Sequence, residues 1–493
     1  MAEPLDSNGA EFGGTGSDGS GSAYEGPASA RPATGAVSGG QFLAPREVMI
    51  VLPGLLLAIL LAMLDNLIVS TALPRIVGDL GGVAHLSWVV TAYILASTIT
   101  TPFYGKLGDI VAPRERGRYM SYMMVVMMLA TIGGPLLGGF ITTAFSWRWI
   151  FYINLPVGGA ALVYLIATLH VPAKKVEHKV DYLGGTLLGV AVTALILLAT
   201  WGGTQYAWGS VQIVGLALIT VAAGVAFGVT ETRAAEPMLP LHVFKNRNFS
   251  LTMVLTFLTG LAMFGAMTFL PLFQQTVQGE SPTVSGLMLT PMMLGVTVTS
   301  IVAGQVTTRT GRYKVFPVLG GGIMAVAMYL LTGLGIGTSR LTSALFYVVL
   351  GLGMGFLMQM VSLIAQNSVE QKDMGVASSA RMFFQQIGGS LGVAAFGAIF
   401  ARQLTTSLSA ATGPGVHISA SGGQLDPARV NSLPAVIRHD VFFAIAHAVE
   451  HVFVWAVPSA VLIFALAWFI KEVPLRGRAP AALAPSQQPE LVS

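Results

Sequence analysis

The sequence predicts an all-α polytopic membrane protein with about twelve transmembrane helices. Hydrophobic residues make up 54% of the 493 residues and charged residues only 10%, whereas a soluble domain, whose surface faces water, is about a quarter charged. The mean hydropathy of +0.71 agrees with this. The apolar residues fall into twelve stretches, each near the ~20 residues that a helix needs to cross the hydrocarbon layer.

Each apolar stretch is expected to be a helix, because lipid cannot hydrogen-bond an open backbone. The stretches lie at residues 48–72, 84–104, 118–144, 149–169, 183–201, 211–229, 249–273, 285–306, 315–335, 341–364, 380–401 and 450–470. Residues 1–47 and 477–493 contain few large apolar side chains, so both are predicted to be disordered cytoplasmic tails. Residues 1–47 lack a basic segment followed by an apolar run, so a signal peptide is not expected.

The basic residues predict the orientation. With the N-terminus in the cytoplasm, twenty of the 26 Lys and Arg residues fall on the cytoplasmic side, as the positive-inside rule requires when both termini are cytoplasmic. The basic residues form no single patch, which argues against nucleic-acid binding. Arg outnumbers Lys, and Ala and Gly are abundant. This composition indicates a bacterial protein, so the bacterial cytoplasmic membrane is the expected location.

Several chemistries are not expected. The chain has no cysteine, which excludes disulfides and thiolate metal sites. It shows no phosphate-binding loop of the Gly-x-x-x-x-Gly-Lys type, so ATP-driven transport by this chain is not expected. No zinc-binding spacing or nucleophile elbow stands out. The sequence therefore predicts a protein that is not an enzyme, with no catalytic residues, no metal site and no cofactor besides a proton gradient.

Asp65 is the strongest candidate functional residue. It lies in the first apolar stretch, in Leu64-Asp65-Asn66-Leu67, and is the only acid well inside any of the twelve. A carboxylate at membrane depth costs several kcal/mol, so such residues mark ion or proton paths. Desolvation favours the neutral acid, which suits reversible proton binding. The alternative is that Asp65 lies near the outer end of its helix and simply reaches the interface.

Two glycine-containing motifs accompany Asp65. Gly105, Lys106, Gly108 and Asp109 follow the second stretch, where small residues permit a tight cytoplasmic turn and the two charges can pair with each other or with helix ends. The run Gly133-Gly134-Pro135-Leu136-Leu137-Gly138-Gly139 interrupts the third stretch. Its small-xxx-small spacing lets helices approach closely, and Pro135 favours a kink. Plain helix packing would explain this run equally well.

Together these segments resemble the drug:proton antiporters of the major facilitator superfamily, in the branch with fourteen helices. The first-helix signature is Leu64–Pro74, the loop after helix two is Gly105–Asp109, and the antiporter motif of helix five is Gly133–Gly139. Ser146–Pro156 is typical of that branch, and Gly311-Arg312-Tyr313-Lys314 resembles the matching cytoplasmic turn of the second half. The resemblance implies a major facilitator fold with Asp65 in proton coupling and Gly105–Asp109 in gating.

The chain departs from this family between helices two and five. Asp109 runs directly into Ile110-Val111-Ala112-Pro113-Arg114, where the family has two further helices. The missing block would be a helical hairpin of roughly 50–60 residues. We therefore expect an incomplete N-terminal bundle of four helices (48–169), a two-helix insert (183–229), and a six-helix bundle (249–470) with an outer loop at 402–446.

Further polar or pliable residues are candidates for lining a central cavity. They are Asn66, Gln274, Gln275, Met358, Gln359, Arg381 and Gln385. Polar amides in apolar helices face protein or water more often than lipid, and Met side chains adapt to varied apolar ligands. Helix packing or lipid contact explains the methionines at least as well. In the family helix four carries an Arg tied to proton coupling, which has no match here; Gln385 stands where relatives often show Arg, with Arg381 one turn earlier.

The sequence thus predicts proton-coupled efflux of hydrophobic or cationic small molecules by a monomer whose partners are the lipid bilayer and the substrate. One alternative is a transport-incompetent, deleted family member that acts as a membrane scaffold or ligand binder, as the junction at Asp109–Ile110 suggests. Another is uptake by symport, against which the resemblance of Gly133–Gly139 to antiporters argues.

Overall fold

The structure, a computed structural model, describes residues 45–79, 126, 129–130, 133–134, 136–168, 181–203, 205–234, 237, 239–412 and 435–475. The structure describes only the backbone of some helical residues in these ranges, among them Asp65 and Asn66. The described residues form helices, two of them short 3-10 turns at Leu241–Lys245 and Gln371–Asp373.

The N-terminal part contains α1 (Pro45–Asp79), α2 (136–144), α3 (Arg148–Tyr152) and α4 (Asn154–Thr168). The insert consists of α5 (Tyr182–Trp201) and α6 (Val211–Arg233). The C-terminal bundle consists of α7 (Arg247–Thr276), α8 (Pro282–Thr310), α9 (Val315–Leu331), α10 (Arg340–Asn367), α11 (Met374–Thr412) and α12 (Ala435–Trp468). Among the described residues, eight helical segments are long and apolar enough to cross a membrane. The predicted all-α polytopic class is confirmed.

The helices begin at the polar residues that the sequence places between apolar runs. Asn246 accepts hydrogen bonds from the backbone of Asn248 and Phe249 at the start of α7. Ser281 and Ser339 cap α8 and α10 in the same way. These caps satisfy backbone N–H groups that have no partner inside the helix. The end of α8 is formed by Gly311, whose φ of 76° is a left-handed conformation that glycine adopts without strain.

The largest apolar core lies within the C-terminal bundle and draws on α7 to α12. Glycines allow its helices to touch backbone to backbone, as is common in membrane bundles. A Cβ on Gly388 of α11 would lie 2.0 Å from the Phe257 carbonyl oxygen of α7. The insert joins this bundle, because Val192 and Ile196 of α5 pack against Phe383 of α11.

The predicted outer loop at 402–446 is helical at both ends, which corrects its boundaries. Helix α11 continues to Thr412 and α12 begins at Ala435. The prediction began the last apolar stretch at residue 450, but Val441, Ala444 and Ile445 before it are buried in the core of the bundle. Beyond residue 401, Ala, Leu, Arg and Gln hold α11 as a helix without an apolar run. The hydroxyl of Thr405 bonds the carbonyl of Ala401 inside this extension.

Candidate functional site

Asp65 lies in the interior of α1, not at its end. The helix continues fourteen residues beyond it to Asp79. The next charged residue towards that end is Arg75, about 15 Å away at 1.5 Å per residue. Towards the other end the nearest charged residue is Glu47, about 27 Å away. Helix α1 therefore continues past Asp65 on both sides, and the depth of Asp65 in the membrane stays a prediction.

Helix α1 contacts both halves of the chain. Ile68 belongs to a buried cluster that includes Ile141 of α2 and Ile150 of α3. Leu73 of the same helix belongs instead to the core of the C-terminal bundle. Helix α1, which carries Asp65, thus lies between the N-terminal helices and α7. A change in the charge of Asp65 can therefore act on both.

The glycines of the predicted antiporter motif form a contact between α2 and the first turn of α8. Gly139 is buried, and a Cβ there would lie 2.4 Å from Thr283 Cα and 2.6 Å from the Pro282 carbonyl oxygen. The hydroxyl oxygens of Thr143 and Thr283 are 3.1 Å apart. Gly133 is packed less tightly, since a Cβ added there would lie 3.9 Å from the nearest atom.

Gly134 and Gly138 are buried in the same helical run, and Pro135 lies outside the described residues. The motif therefore joins the two halves of the chain at one end of the molecule.

Polar contacts hold the end of α1 to α2 and α3 at that same end. The Arg75 guanidinium donates to the Thr142 carbonyl oxygen at 2.7 Å. The Trp147 indole N–H donates to an Asp79 carboxylate oxygen, also at 2.7 Å. The Arg148 guanidinium stands over the Trp147 ring, 4.5 Å from its centroid. Under the predicted orientation this is the outer end, where specific contacts fasten α1 to α2 and α3.

The predicted gating turn, Gly105, Lys106, Gly108 and Asp109, lies outside the described residues. Its counterpart in the second half, Gly311–Lys314, is described. Tyr313 is 1% exposed, and its backbone N–H donates to a Glu472 carboxylate oxygen at 3.1 Å. Its hydroxyl accepts from the Val473 backbone N–H at 2.6 Å. The segment that follows α12 is thus bound across the turn.

Burial raises the pKa of the Tyr313 hydroxyl above its usual value. The nearby Glu472 carboxylate raises this pKa as well, while the hydrogen bond from the Val473 backbone lowers it. The first effect is the largest because an ionised phenolate loses solvation in a buried position. The turn is therefore stabilised by a neutral tyrosine.

The amides of Gln274 and Gln275 are enclosed between helices in this conformation. They are 0% and 4% exposed. The Gln274 amide faces the fully buried hydroxyl of Tyr347 on α10, although within the described residues neither group reaches the geometry of a hydrogen bond. A buried unpaired polar group costs roughly 1–3 kcal/mol. Contact of Gln274 or Gln275 with a substrate stays a prediction.

Arg381 and Gln385 are brought together on α11. The Arg381 guanidinium donates to the Gln385 side-chain oxygen at 3.0 Å, and the Gln385 amide nitrogen lies 3.9 Å from the Met263 sulfur of α7. The Arg381 Nε atom is buried and unpaired among the described residues. Met358 and Gln359 are half-buried on α10. A shared cavity that joins these four residues stays a prediction.

Sequence reasoning missed one ion pair between a buried acid and an exposed base. Glu280, whose side chain is 5% exposed, pairs with Arg340 and thereby ties the end of α7 to the start of α10. In the sequence, Glu280 and Arg340 are an acid and a base in two separate segments between helices. Such residues are expected to be solvated, so no local signal marked them as partners.

The comparisons with known proteins agree on one family. The model of the Major Facilitator Superfamily matches residues 107–393. An uncharacterized MFS-type transporter of Mycobacterium tuberculosis (strain H37Rv) is 37% identical over 495 aligned positions, covering 89% of this chain and 72% of that protein. The multidrug transporter protein MdtP of Bacillus subtilis (strain 168) is 33% identical, covering 71% of this chain and 75% of that protein.

The fold is also found among solved structures. The crystal structure of a bacterial homolog of the human lysosomal transporter Spinster, in an inward-facing and unoccupied conformation, matches with a TM-score of 0.55. The match covers 87% of this chain and 98% of that chain at 13% sequence identity. At this identity the likeness concerns the fold alone.

The alignment to the mycobacterial relative is longer than the part of this chain that it covers. The covered 89% of 493 residues is about 439 residues, so about 56 of the 495 aligned positions have no counterpart here. For MdtP, the covered 71% is about 350 residues against 405 aligned positions, which leaves about 55. Both totals are about as large as the helical hairpin that the Asp109–Ile110 junction predicts to be absent. That the missing positions lie together at that junction stays a prediction.

Proposed function

This chain belongs to the major facilitator superfamily, and from that premise we propose that it exports hydrophobic or cationic small molecules by proton antiport. It is a multi-pass membrane transporter and not an enzyme. We place it in the bacterial cytoplasmic membrane with both termini on the cytoplasmic side, as the distribution of Lys and Arg requires. The proton gradient supplies the driving force.

The observation that carries the proposal is the position of Asp65. It is the one charged residue between Glu47 and Arg75, in the interior of a helix that packs on both halves of the chain. In apolar surroundings the neutral acid is favoured over the carboxylate. Asp65 would take a proton from the outside and release it to the cytoplasm, and each event would change the charge between the halves.

The contact between Gly139 and Thr283 is the place where the two halves separate and re-form. Alternating access requires the two helical halves to rock about a central site, so the contact at the predicted outer end must form and break in each cycle. A close backbone contact without large interdigitating side chains can separate and re-form. Protonation of Asp65 can bias this equilibrium only if one state binds the proton better than the other.

The substrate class rests on the relatives. Two Bacillus subtilis proteins are named as a multidrug transporter and as Multidrug resistance protein 3, the latter 29% identical over 83% of this chain and 92% of its own length. Both names suit a pocket with pliable apolar walls. Met358, half-buried on α10, is the kind of side chain that adapts to different ligands.

Export from cells tests the proposal. Cells that express the chain should extrude a lipophilic cationic dye, and Asp65→Asn should abolish extrusion while the protein remains in the membrane. Asp79→Asn is the matched control, because Asp79 lies at the exposed end of the same helix and an asparagine oxygen can still accept from Trp147. Full extrusion by Asp65→Asn would refute the role of this acid.

A second candidate is a transport-incompetent member that serves as a membrane scaffold or ligand binder. The roughly 55 positions by which the relatives exceed this chain favour it. Insertion of a relative's corresponding hairpin between Asp109 and Ile110 tests this candidate. It would be supported if the insertion created transport or raised stability, and weakened if neither changed. The resemblance of Gly133–Gly139 to antiporters argues against a third candidate, uptake by symport.

A further inference from the structure

Three titratable side chains share one face of α12 at positions i, i+3 and i+4. They are His447, Glu450 and His451, and residues with this spacing lie one above the other on a helix. The His447 Nδ1 atom is 3.0 Å from a Glu450 carboxylate oxygen. The rings of His447 and His451 meet edge to face, with centroids 4.7 Å apart. The three residues therefore form one connected cluster.

The contact with Glu450 determines which nitrogen of His447 is free. A carboxylate only accepts hydrogen bonds, so Nδ1 of His447 carries the proton and Nε2 keeps its lone pair. Histidines that bind metals show this arrangement, in which a carboxylate holds the N–H of one nitrogen while the other nitrogen faces the ion. The neighbouring imidazole of His451 supplies a second nitrogen within the same helical turn.

The cluster is partly exposed. The side chains of His447 and Glu450 are 36% and 40% exposed. His447 precedes Trp468, where α12 ends, by 21 residues, which is about 31 Å along the helix and about the thickness of the hydrocarbon layer. With the Trp468 end at the cytoplasmic boundary, His447 lies at the opposite boundary, where water meets the bilayer, and His451 lies one turn deeper.

We propose that His447 and His451 bind a divalent transition-metal ion, with Glu450 as the residue that orients His447. Two histidines at i and i+4 on one helical face are a recurrent way of holding such an ion. In this site His447 and His451 would supply two ligands and water would complete the coordination, since no group of three His, Asp or Glu side chains in the described part of the chain could hold a metal. Two imidazole nitrogens with water favour Cu²⁺ and Ni²⁺. The site is independent of the proposed transport function.

Copper binding to the purified, tag-free chain in detergent tests the site. The wild type should bind one more Cu²⁺ ion than His447→Ala or His451→Ala, measured by equilibrium dialysis. The electron paramagnetic resonance spectrum of that ion should show coupling to two nitrogens. His439→Ala is the matched control, because His439 is an exposed histidine two turns earlier on α12, and it should leave the ion in place.

The role of Glu450 is tested separately. Loss of a carboxylate that orients a metal-binding histidine weakens metal binding by about 10–100-fold, so Glu450→Ala should retain the stoichiometry at lower affinity. Equal affinity in Glu450→Ala would remove its orienting role. Equal copper stoichiometry in the wild type and in a folded His451→Ala protein, shown by its elution volume and helical content, would overturn the site. Loss of the ion in His439→Ala would overturn it as well.

Discussion

Asn248 and Lys471, 223 positions apart in the chain, exchange two hydrogen bonds. The Asn248 side-chain nitrogen donates to the Lys471 carbonyl oxygen at 2.7 Å, and the Lys471 backbone N–H donates to the Asn248 side-chain oxygen at 3.0 Å. One amide thereby holds the segment after α12 to the first turn of α7. Together with the contacts of Tyr313 to Glu472 and Val473, it fastens the end of the C-terminal bundle.

Replacing Asn248 should therefore weaken the bundle. Asn248→Ala leaves the Lys471 backbone N–H without a partner, at a cost of about 1–3 kcal/mol, and leaves the Lys471 carbonyl oxygen with only the longer hydrogen bond from the Tyr313 hydroxyl at 3.4 Å. We expect a lower unfolding midpoint in detergent. Thr308→Ala is the control, since this exposed hydroxyl bonds only a carbonyl of its own helix. An unchanged midpoint in Asn248→Ala would contradict the role of this amide.

Tyr313 should make the same region sensitive to alkaline pH. Because its pKa is raised in the folded chain, the neutral phenol stabilises the fold fully below pH ~10, the value of an unperturbed tyrosine. This stabilisation is lost as pH rises through the higher folded pKa. The unfolding midpoint should fall in alkaline buffer, and Tyr313→Phe should reduce that fall. An identical alkaline fall in Tyr313→Phe and in the control Tyr329→Phe, at an exposed tyrosine, would contradict the prediction.

A methyl group at Gly139 should force α2 and α8 apart. The added Cβ would meet backbone atoms of Pro282 and Thr283, which cannot rotate away, and overpacking of this kind costs about 1–3 kcal/mol. The contact should become about 5- to 150-fold less populated. Because the chain has no cysteine, disulfide formation in Thr143→Cys/Thr283→Cys measures this population directly.

The matched control for Gly139→Ala is Gly159→Ala, where a Cβ would meet no atom within 4 Å. Disulfide formation should slow in the first variant and remain unchanged in the second. If Gly139→Ala forms the disulfide as fast as the parent does, the contact is not a barrier between the halves.

The orientation predicts which surface positions face the outside. A single cysteine at Thr405, exposed near the end of α11, should react with a membrane-impermeant thiol reagent in intact cells. A cysteine at Thr310, exposed beside the turn that ends α8, should react only after permeabilisation. The reverse pattern would invert the topology.

The helical architecture could be predicted because the length of an apolar run decides whether it can cross lipid. The loop at 402–446 was predicted too long. Its first end is held as helix by backbone bonds without an apolar run, and the apolar residues at its second end, among them Val441 and Ile445, were left out of the last stretch. The partner of Gly139 could not be predicted, because a small-residue motif permits close approach without naming the partner. The i, i+4 spacing of His447 and His451 occurs in metal sites, but a histidine pair without a third ligand was not singled out in the sequence.

The structure brings some of the predicted site residues together and leaves others apart. Asp65 was predicted inside an apolar helix, and its depth in the membrane stays a prediction, although α1 continues past it on both sides. Arg381 and Gln385 are one turn apart, so their contact follows from helical periodicity. The enclosure of Gln274 depends on how α7 packs against α10, which no local pattern encodes.

Transport in proteoliposomes under an imposed pH gradient tests the central proposal most directly, with a fluorescent lipophilic cation as the probe and Asp65→Asn alongside. The account predicts movement that depends on the gradient in the parent chain and is lost in Asp65→Asn. Absence of movement by folded, inserted parent protein would contradict proton-coupled export and favour a family member that no longer transports.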